Sequence, residues 1–228
     1  GAHVGGTRGS PHRMAGVGSV LIFPCIPWAE HRYQGLIPIE TDPTKPPRGL
    51  CQADVPDLGR AYNEVMDALP EGAWGCLLDH DVMFTTRVWY AQLQQAVAYD
   101  PKGTFVPYLY RGGAPWQNIT RIFPETTLEH HSIPYHRELG TRLAQMNGEA
   151  FVDVTRHPRQ GGGALILVSK ESWQVVGGFP HGCLNIDHAF FVKLRSAGRR
   201  SYLMQRLYLY HWKRGAGEIH PTFVYANG

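Results

Sequence analysis

An uninterrupted apolar run, Trp74–Leu78 (WGCLL), leads directly into the acidic triplet Asp79-His80-Asp81. Five consecutive apolar residues are typical of a strand that is buried on both faces, as in the parallel sheets of α/β proteins. Two carboxylates at the end of such a strand are costly to bury unless they are solvated, paired or bound to a cation. The run and the triplet together favour an α/β fold with a ligand site at the end of a central strand.

Strands and helices alternate along the rest of the chain. Short β-branched or apolar runs predict strands, and apolar residues that recur at spacings of three and four predict helices. The predicted strands cover residues 17–24, 74–78, 104–109, 164–168 and 202–210. The predicted helices cover residues 56–69, 85–99, 133–146, 170–176 and 187–197, the second of them capped by Thr85 or Thr86. This order predicts one α/β domain with a mostly parallel central sheet flanked by helices.

The composition excludes several classes of protein. The chain has 228 residues, 43% of them hydrophobic, which suits one sizeable core. Its net charge of +3 is spread along the chain, so no nucleic-acid partner is predicted. No apolar run approaches the ~18 residues that a transmembrane segment needs. Oligomeric state is not encoded in any recognisable pattern.

The cysteines and the N-terminal residues bear on location and on domain bounds. None of the four cysteines forms a CxxC pair, so buried reduced thiols and a cytoplasmic protein are expected. Residues 1–13 are glycine-rich and aperiodic and are interpreted as an expression-tag remnant, expected to be disordered, with Met14 as the natural start. The single domain is therefore predicted at 14–228.

Three acidic or imidazole side chains are candidates for chemistry. In an extended turn, residues two apart point to the same side, so Asp79 and Asp81 can face one ligand. Carboxylate oxygens suit Mn²⁺ or Mg²⁺, and imidazole from His211, at the end of the last predicted strand, is also a good Mn²⁺ ligand. Asp187, at the start of a helix, is a candidate general base.

Ordinary structural roles remain open for each of these residues. The acidic triplet can be a solvated turn with a helix-capping acid, and a histidine at a strand end is often a surface or core residue. Asp187 can be the N-cap of its helix, a role that is compatible with catalysis. Lys213, close to His211, can contact a diphosphate.

The order and spacing of four segments resemble the family 2 glycosyltransferases with the GT-A fold, in the branch that carries a Leu-Asp-His-Asp stretch. The segments are 59–63 (GRAYN), 78–86 (LDHDVMFTT), 162–179 with Trp173 and Gly177-Gly178-Phe179, and 185–188 (NIDH) through 210–212 (YHW). The resemblance covers residues 20–214 and implies one GT-A, Rossmann-like domain. Its nucleotide-sugar half would be about 17–110, its acceptor half about 111–214, and its tail 215–228.

The resemblance also implies roles for individual residues. Asp81 would be the direct metal ligand, with His211 as the late metal-binding histidine, and Asp187 would be the base. Asp79 would hold the ribose or the donor sugar near the metal, with His80 beside it. The donor would further contact Pro24, Ile26, Trp28 and Asn63. The implied reaction is the metal-dependent transfer of a sugar from a nucleotide-sugar donor to a saccharide or other hydroxyl acceptor. A UDP-linked donor is favoured over a GDP-linked one.

Two departures from the family pattern concern base recognition and the catalytic base. The first strand ends Phe-Pro-Cys-Ile-Pro instead of Pro-Thr-Tyr-Asn, and the acidic motif is a single Asp187 followed by His188. The nucleotide base and the stereochemical outcome therefore stay open, although an inverting displacement is the expectation.

The acceptor side is predicted from aromatic and glycine-rich segments. Aromatic rings pack on the apolar faces of sugars, and glycine permits close backbone approach. The candidates are Trp116, Gln117, Gly162 and Trp212. Core packing is the alternative for the aromatic residues. A nucleotidyltransferase, a sugar-nucleotide hydrolase and a non-catalytic carbohydrate- or nucleotide-binding module are the rival functions.

Overall fold

A computed structural model describes residues 20–24 (as a strand, without side chains), 58–79, 82–110, 113–126, 132–180 and 186–211. The strands in these ranges are β1 (Val20–Pro24), β2 (Trp74–Leu78), β3 (Val82–Phe84), β4 (Thr104–Tyr110), β5 (Phe151–Asp153), β6 (Leu165–Ser169) and β7 (Ser201–His211). The α-helices are α1 (Leu58–Ala68), α2 (Trp89–Tyr99), α3 (Ile133–Gln145), α4 (Lys170–Val175) and α5 (Ile186–Ser196). Short 3₁₀ turns cover Pro115–Gln117 and Ile119–Arg121.

The strands form one mixed sheet in the order β1-β2-β6-β4-β7-β3, with β5 paired to β7. The pairs β1–β2 and β4–β7 are parallel, whereas β2–β6, β4–β6, β3–β7 and β5–β7 are antiparallel. The α/β class is thus confirmed, and the prediction of a mostly parallel sheet is wrong. A continuous apolar strand indicates only that both of its faces are buried. Helices on both sides of the sheet bury a parallel and an antiparallel strand equally, so the pattern does not reveal strand direction.

Four strands nevertheless share one direction. Because β6 is antiparallel to both β2 and β4, those two strands run the same way, and β1 and β7 run with them. Their ends at Pro24, Leu78, Tyr110 and His211 therefore lie along one side of the sheet. The starts of β6 and β3 lie on the same side, since these strands are reversed. We call this side the carboxyl edge.

Helices cover both faces of the sheet. Alternate residues of β6 point to opposite faces, as the period of two requires: Ile166 and Val168 join one cluster, and Leu165 and Leu167 join the other. The first cluster packs under α1, α3 and α5, and the second packs under α2. The second also contains Cys76, whose thiol is free and buried, as predicted. Burial raises the pKa of this thiol to about 12.

A break in register separates the two halves of the β4–β7 ladder. Pro107 pairs with Met204, but the next residue, Tyr108, pairs with Tyr208. Proline has no N–H to give to a ladder and is tolerated inside a sheet at such irregularities. The three residues of β7 between these partners bulge out, and the ladder then resumes as far as His211.

The predicted elements lie close to the observed ones, with two kinds of exception. The predicted caps at Thr85 and Thr86 are wrong, because the N-cap of α2 is Val88 and no side chain caps it. The Thr85 hydroxyl instead donates to the Tyr208 carbonyl at 2.7 Å and ties β3 to β7. Strands β3 and β5 were not predicted, because three residues are too short for a periodic pattern.

Some predictions concern residues that the structure does not describe or does not test. The proposed tag at 1–13, Met14 and the tail at 215–228 lie outside the described ranges. The boundaries of the donor and acceptor halves stay predictions. No helix in the described ranges combines the length and the apolar character that crossing a membrane requires.

Candidate functional site

Asp79 and His211 meet at the carboxyl edge. The Asp79 backbone N–H donates to the Ala164 carbonyl at 3.1 Å, so the residue is still anchored to the start of β6. Its Oδ2 lies 3.8 Å from Nε2 of His211, an ion-pair distance when the imidazole is protonated. The Tyr62 hydroxyl donates to Asp79 Oδ1 over a long 3.5 Å. The side chains of Asp79 and His211 are 29% and 13% exposed, so solvent or a ligand reaches both.

The register of β7 places His211 next to the acidic triplet. His211 is the last residue of β7, and it pairs with Val82, the first residue of β3. Asp79 and Val82 are the chain neighbours of residues 80–81, and both lie beside His211. His80 and Asp81 themselves lie outside the described residues. Two segments more than a hundred residues apart are thereby joined at the predicted metal site.

Asp187 approaches the same edge from α5. It is the second residue of the helix, so it lies in the first turn and not at the N-cap position that the structural alternative assigned to it. Its Oδ2 accepts a hydrogen bond from the Gly163 N–H at 2.9 Å, and its Oδ1 accepts one from the His188 N–H at 2.8 Å. Because a carboxylate oxygen has two lone pairs, each oxygen retains the capacity to accept a proton.

The two residues just before β6 link Asp187 to Asp79. Gly163 holds the Asp187 carboxylate, and the next residue, Ala164, accepts the Asp79 N–H. Asp79 in turn lies against His211. The structure therefore brings Asp79, Asp187 and His211 to one edge, two of them from strand ends and Asp187 from the start of a helix.

Gln117 supports this edge from within the protein. Its side chain is fully buried, and Oε1 accepts from the N–H groups of Gly162, at 2.6 Å, and Ala114, at 2.9 Å. Nε2 donates to the Pro107 carbonyl at 3.3 Å. Gln117 thus joins two loops that were both predicted to face an acceptor, and its own contact with an acceptor stays a prediction.

The two glycine loops touch each other closely. A Cβ on Gly162 would overlap the Cα of Gly113. Gly113 has φ of +69°, a left-handed conformation that suits glycine. Gly162 is therefore required where the chain packs backbone against backbone, which places the following Gly163 for its bond to Asp187.

Trp116 is mostly buried beside these loops. Its indole Nε1 donates to the Arg159 carbonyl at 2.8 Å, and the side chain is 8% exposed. Trp116 also lines a groove together with residues of β5, α5 and β7. The predicted stacking on an acceptor sugar has not been tested, and packing accounts for most of the ring surface.

Asn63 connects α1 to the segment after α4. Its Nδ2 donates to the Phe179 carbonyl at 2.9 Å, and its Oδ1 accepts from the Phe179 N–H and from Trp173 Nε1, both at 2.8 Å. These bonds join the segment 59–63 to the end of the segment 162–179, two of the segments on which the resemblance depends. The predicted donor contact of Asn63 stays a prediction.

Four other predicted residues lie outside the described ranges. These are Ile26, Trp28, Trp212 and Lys213. Pro24 ends β1 and pairs with Leu78, so it is at the carboxyl edge by register. Conversely, sequence reasoning missed the contributions of Tyr62 and Gly163 to the edge. The helical spacing marks Tyr62 only as a buried residue, and a backbone N–H leaves no signal in a sequence.

The carboxyl edge offers one oxygen and one nitrogen donor to a cation. Within the described residues, no group of three or more His, Cys, Asp and Glu side chains is arranged to hold a metal ion. Asp79 and His211 nevertheless converge, and a carboxylate with an imidazole suits Mn²⁺. The metal site stays a prediction, and its proposed direct ligand, Asp81, lies outside the described residues.

No family model matches the chain, and no curated protein is significantly similar to it. The functional argument accordingly comes from the chemistry of the carboxyl edge.

Proposed function

We propose that this protein is a metal-dependent glycosyltransferase with a GT-A fold. It would transfer a sugar from a nucleotide-sugar donor, UDP-linked in preference to GDP-linked, to a hydroxyl acceptor. The observation that carries the proposal is that Asp79 and Asp187 hydrogen-bond to the adjacent residues Ala164 and Gly163, and that His211 lies against Asp79. Segments far apart in sequence supply an acid–imidazole pair and a separately held carboxylate, which are the parts that this reaction needs.

Asp187 is the proposed general base. Its hydrogen bonds from Gly163 and His188 fix the carboxylate, and each oxygen keeps a lone pair. The acceptor hydroxyl gives its proton to Asp187 while its oxygen bonds to the anomeric carbon of the donor. The bond from that carbon to the phosphate oxygen breaks at the same time, and the nucleoside diphosphate leaves with the electron pair. This single displacement inverts the anomeric centre.

Asp79, Asp81 and His211 are the proposed holders of Mn²⁺ or Mg²⁺. When bound, such an ion supplies Lewis-acid neutralisation of charge on the diphosphate leaving group. Asp79 also orients the ribose or donor sugar, with Pro24, Ile26, Trp28, Asn63, His80 and Lys213 as further donor-side residues. The free Cys76 thiol agrees with the cytoplasmic location that we propose.

A thermal-shift screen tests the proposal directly. The purified protein is melted with UDP-, GDP- and dTDP-sugars, with and without Mn²⁺, because a ligand that binds the folded state raises the apparent melting temperature. We expect the largest shift for a UDP-sugar with Mn²⁺. Absence of a shift for every nucleotide sugar, with and without the metal, would contradict the proposal.

Product analysis then separates the rival functions. A glycosyltransferase releases nucleoside diphosphate and a glycosylated acceptor. A sugar-nucleotide hydrolase releases free sugar without any dependence on an acceptor, and a nucleotidyltransferase forms or consumes pyrophosphate. A binding module shows the thermal shift but no turnover.

A further inference from the structure

A groove of about 1040 Å³ lies at the other end of β7 from His211. Most of its lining comes from β5 and the loop after it, from the end of α5 with the first half of β7, and from the end of the 3₁₀ turn Ile119–Arg121; Tyr108 and Trp116 complete it. Its volume is at the upper end of the ~300–1,000 Å³ typical of small-molecule pockets. The groove is therefore large enough for a ligand of several chemical groups.

Arginine dominates the charged lining of the groove. The charged lining residues are Arg121, Arg156, Arg195, Arg199, Arg200 and Asp153. Five guanidinium groups thus face a single carboxylate, in a protein whose overall net charge is only +3. The positive charge is concentrated by the fold, since it comes from segments that are distant in sequence.

Two of the arginines have structural partners. Arg199 donates to Glu171 Oε1 at 2.9 Å, and its side chain is 12% exposed. The neighbouring Tyr202 hydroxyl and Asp153 carboxylate raise the pKa of Arg200. These two contribute to the field of the groove, but their contacts already explain their presence.

The other three have no such explanation. Arg121, Arg156 and Arg195 are exposed, and none of them forms an ion pair with a carboxylate of the described residues. Arg195 lies in the last turn of α5, where a cation is favoured by the helix dipole. That account does not extend to Arg156, which lies in a loop. Three guanidinium groups in one groove therefore remain without a structural role and are available to bind a common ligand.

We propose that this arginine groove is a second binding site, for a molecule that carries two or more phosphate or sulfate groups. Guanidinium groups bind tetrahedral oxyanions through paired, charge-assisted hydrogen bonds, and several such groups favour a ligand with several anionic centres. The site is separate from the carboxyl edge, because α5 places Asp187 in its first turn and Arg195 in its last. The binding needs no metal.

Calorimetry with tripolyphosphate in EDTA tests the proposal. The chelator removes the metal on which donor binding at the carboxyl edge is proposed to depend. We expect binding to the wild-type protein and at least about tenfold weaker binding to the double variant Arg156→Ala/Arg195→Ala, since both substitutions remove charged hydrogen-bond donors. The matched control is Arg87→Ala/Arg137→Ala, two exposed arginines outside the groove, which should bind like wild type.

A second arm distinguishes the source of the anion. A heparin-derived hexasaccharide replaces tripolyphosphate under the same conditions. Tighter binding of the hexasaccharide, lost in the groove variant, identifies a sulfated glycan; the reverse order identifies a phosphorylated ligand. Equal affinities of the groove variant and wild type for both probes would overturn the proposal, as would no binding of either probe to wild type.

The outcome is separable from that of the proposed glycosyltransferase function. Metal-dependent UDP binding should be unchanged in Arg156→Ala/Arg195→Ala, and metal-free tripolyphosphate binding should be unchanged in Asp187→Asn. Because Arg156 and Arg195 are exposed, their substitution should cost little more stability than the helix-dipole contribution of Arg195, and a cooperative melt shows that the groove variant folds.

Discussion

The carboxyl edge and the arginine groove are built on the same two elements but have opposite chemistry. Helix α5 begins with Asp187 at the edge and ends with Arg195 at the groove. Strand β7 begins beside Arg200 at the groove and ends with His211 at the edge. The 11 residues of α5 span about 16 Å, so the two regions are held apart by a rigid element.

The charge pattern of α5 has a structural explanation that must be separated from the proposed catalytic one. An acid in the first turn and cations in the last turn complement the helix dipole, which is worth about 0.3–1 kcal/mol for each charge. If that were the whole role of Asp187, its substitution would cost only this much stability. A catalytic role predicts a far larger loss, and one that appears in the rate instead of in the stability.

The largest expected effect follows from Asp187→Asn. An amide does not take a proton from the acceptor, so turnover should fall by roughly 10²–10⁴-fold, the usual contribution of general-base catalysis. Nucleotide release measures the turnover, and calorimetry with UDP and Mn²⁺ should show nearly unchanged donor affinity. The matched control is Asp67→Asn, an exposed carboxylate on α1, which should retain full activity. Loss of rate and donor affinity in equal measure would count against the base role.

A smaller effect is expected for the Asp79–His211 pair. Asp79→Asn and His211→Ala should each weaken UDP binding in the presence of Mn²⁺ by at least about tenfold, since each removes a proposed metal ligand. The double variant should lose much less than the product of the two single effects, because the residues act on one ion. In EDTA, where UDP binding is proposed to be lost, the variants should differ little from wild type. Additive losses in Mn²⁺ would show that the two side chains do not share a ligand.

Substitution of Gly162 should damage the edge and spare the groove. In Gly162→Ala the new Cβ overlaps the Cα of Gly113, so the loop must shift, at a cost of about 1–3 kcal/mol in the free energy of unfolding. Chemical denaturation measures the loss. Gly161→Ala is the matched control, because its Cβ would meet its neighbours at ordinary distances of 3.4–3.5 Å. If the two variants are equally stable, the close packing of the loops is not a constraint.

The smallest expected effect concerns the partner of Arg199. The hydrogen bond from Arg199 lowers the pKa of the Glu171 carboxyl, so the pair stabilises the fold above the unfolded-state pKa of glutamate. That stabilisation should disappear as the pH falls through the lowered pKa. Because Glu171 is exposed, Glu171→Gln should cost only about 0.2–1 kcal/mol at pH 7. Denaturation of both proteins over a series of falling pH values checks this, and a stability difference that does not shrink as the pH falls would contradict it.

Much of the carboxyl edge could be predicted from the sequence because its signals are local. The apolar run Trp74–Leu78 predicts a buried strand, and the change to Asp79 shows where that strand ends. His211 was predicted for the same reason, as a polar residue at the end of an apolar strand. Residues 80–81, which the prediction placed at the centre of the metal site, lie outside the described part of the chain.

The features that the sequence did not predict depend on pairing over long distances. The reversed direction of β6 is set by its partners β2 and β4, and an apolar strand has the same pattern in either direction. The role of Gln117 depends on a loop 45 residues further along the chain. The arginine groove is likewise invisible in the sequence, because Arg121, Arg156 and Arg195 form no run.

The central claim is that a divalent cation bound between the acidic triplet and His211 positions a nucleoside diphosphate. Anomalous diffraction at the manganese edge, from crystals grown with UDP and Mn²⁺, tests it most directly. We predict one strong anomalous peak in contact with His211 Nε2 and with a carboxylate of the triplet, beside the diphosphate. A manganese peak located elsewhere on the protein, or UDP bound away from the carboxyl edge, would contradict the account.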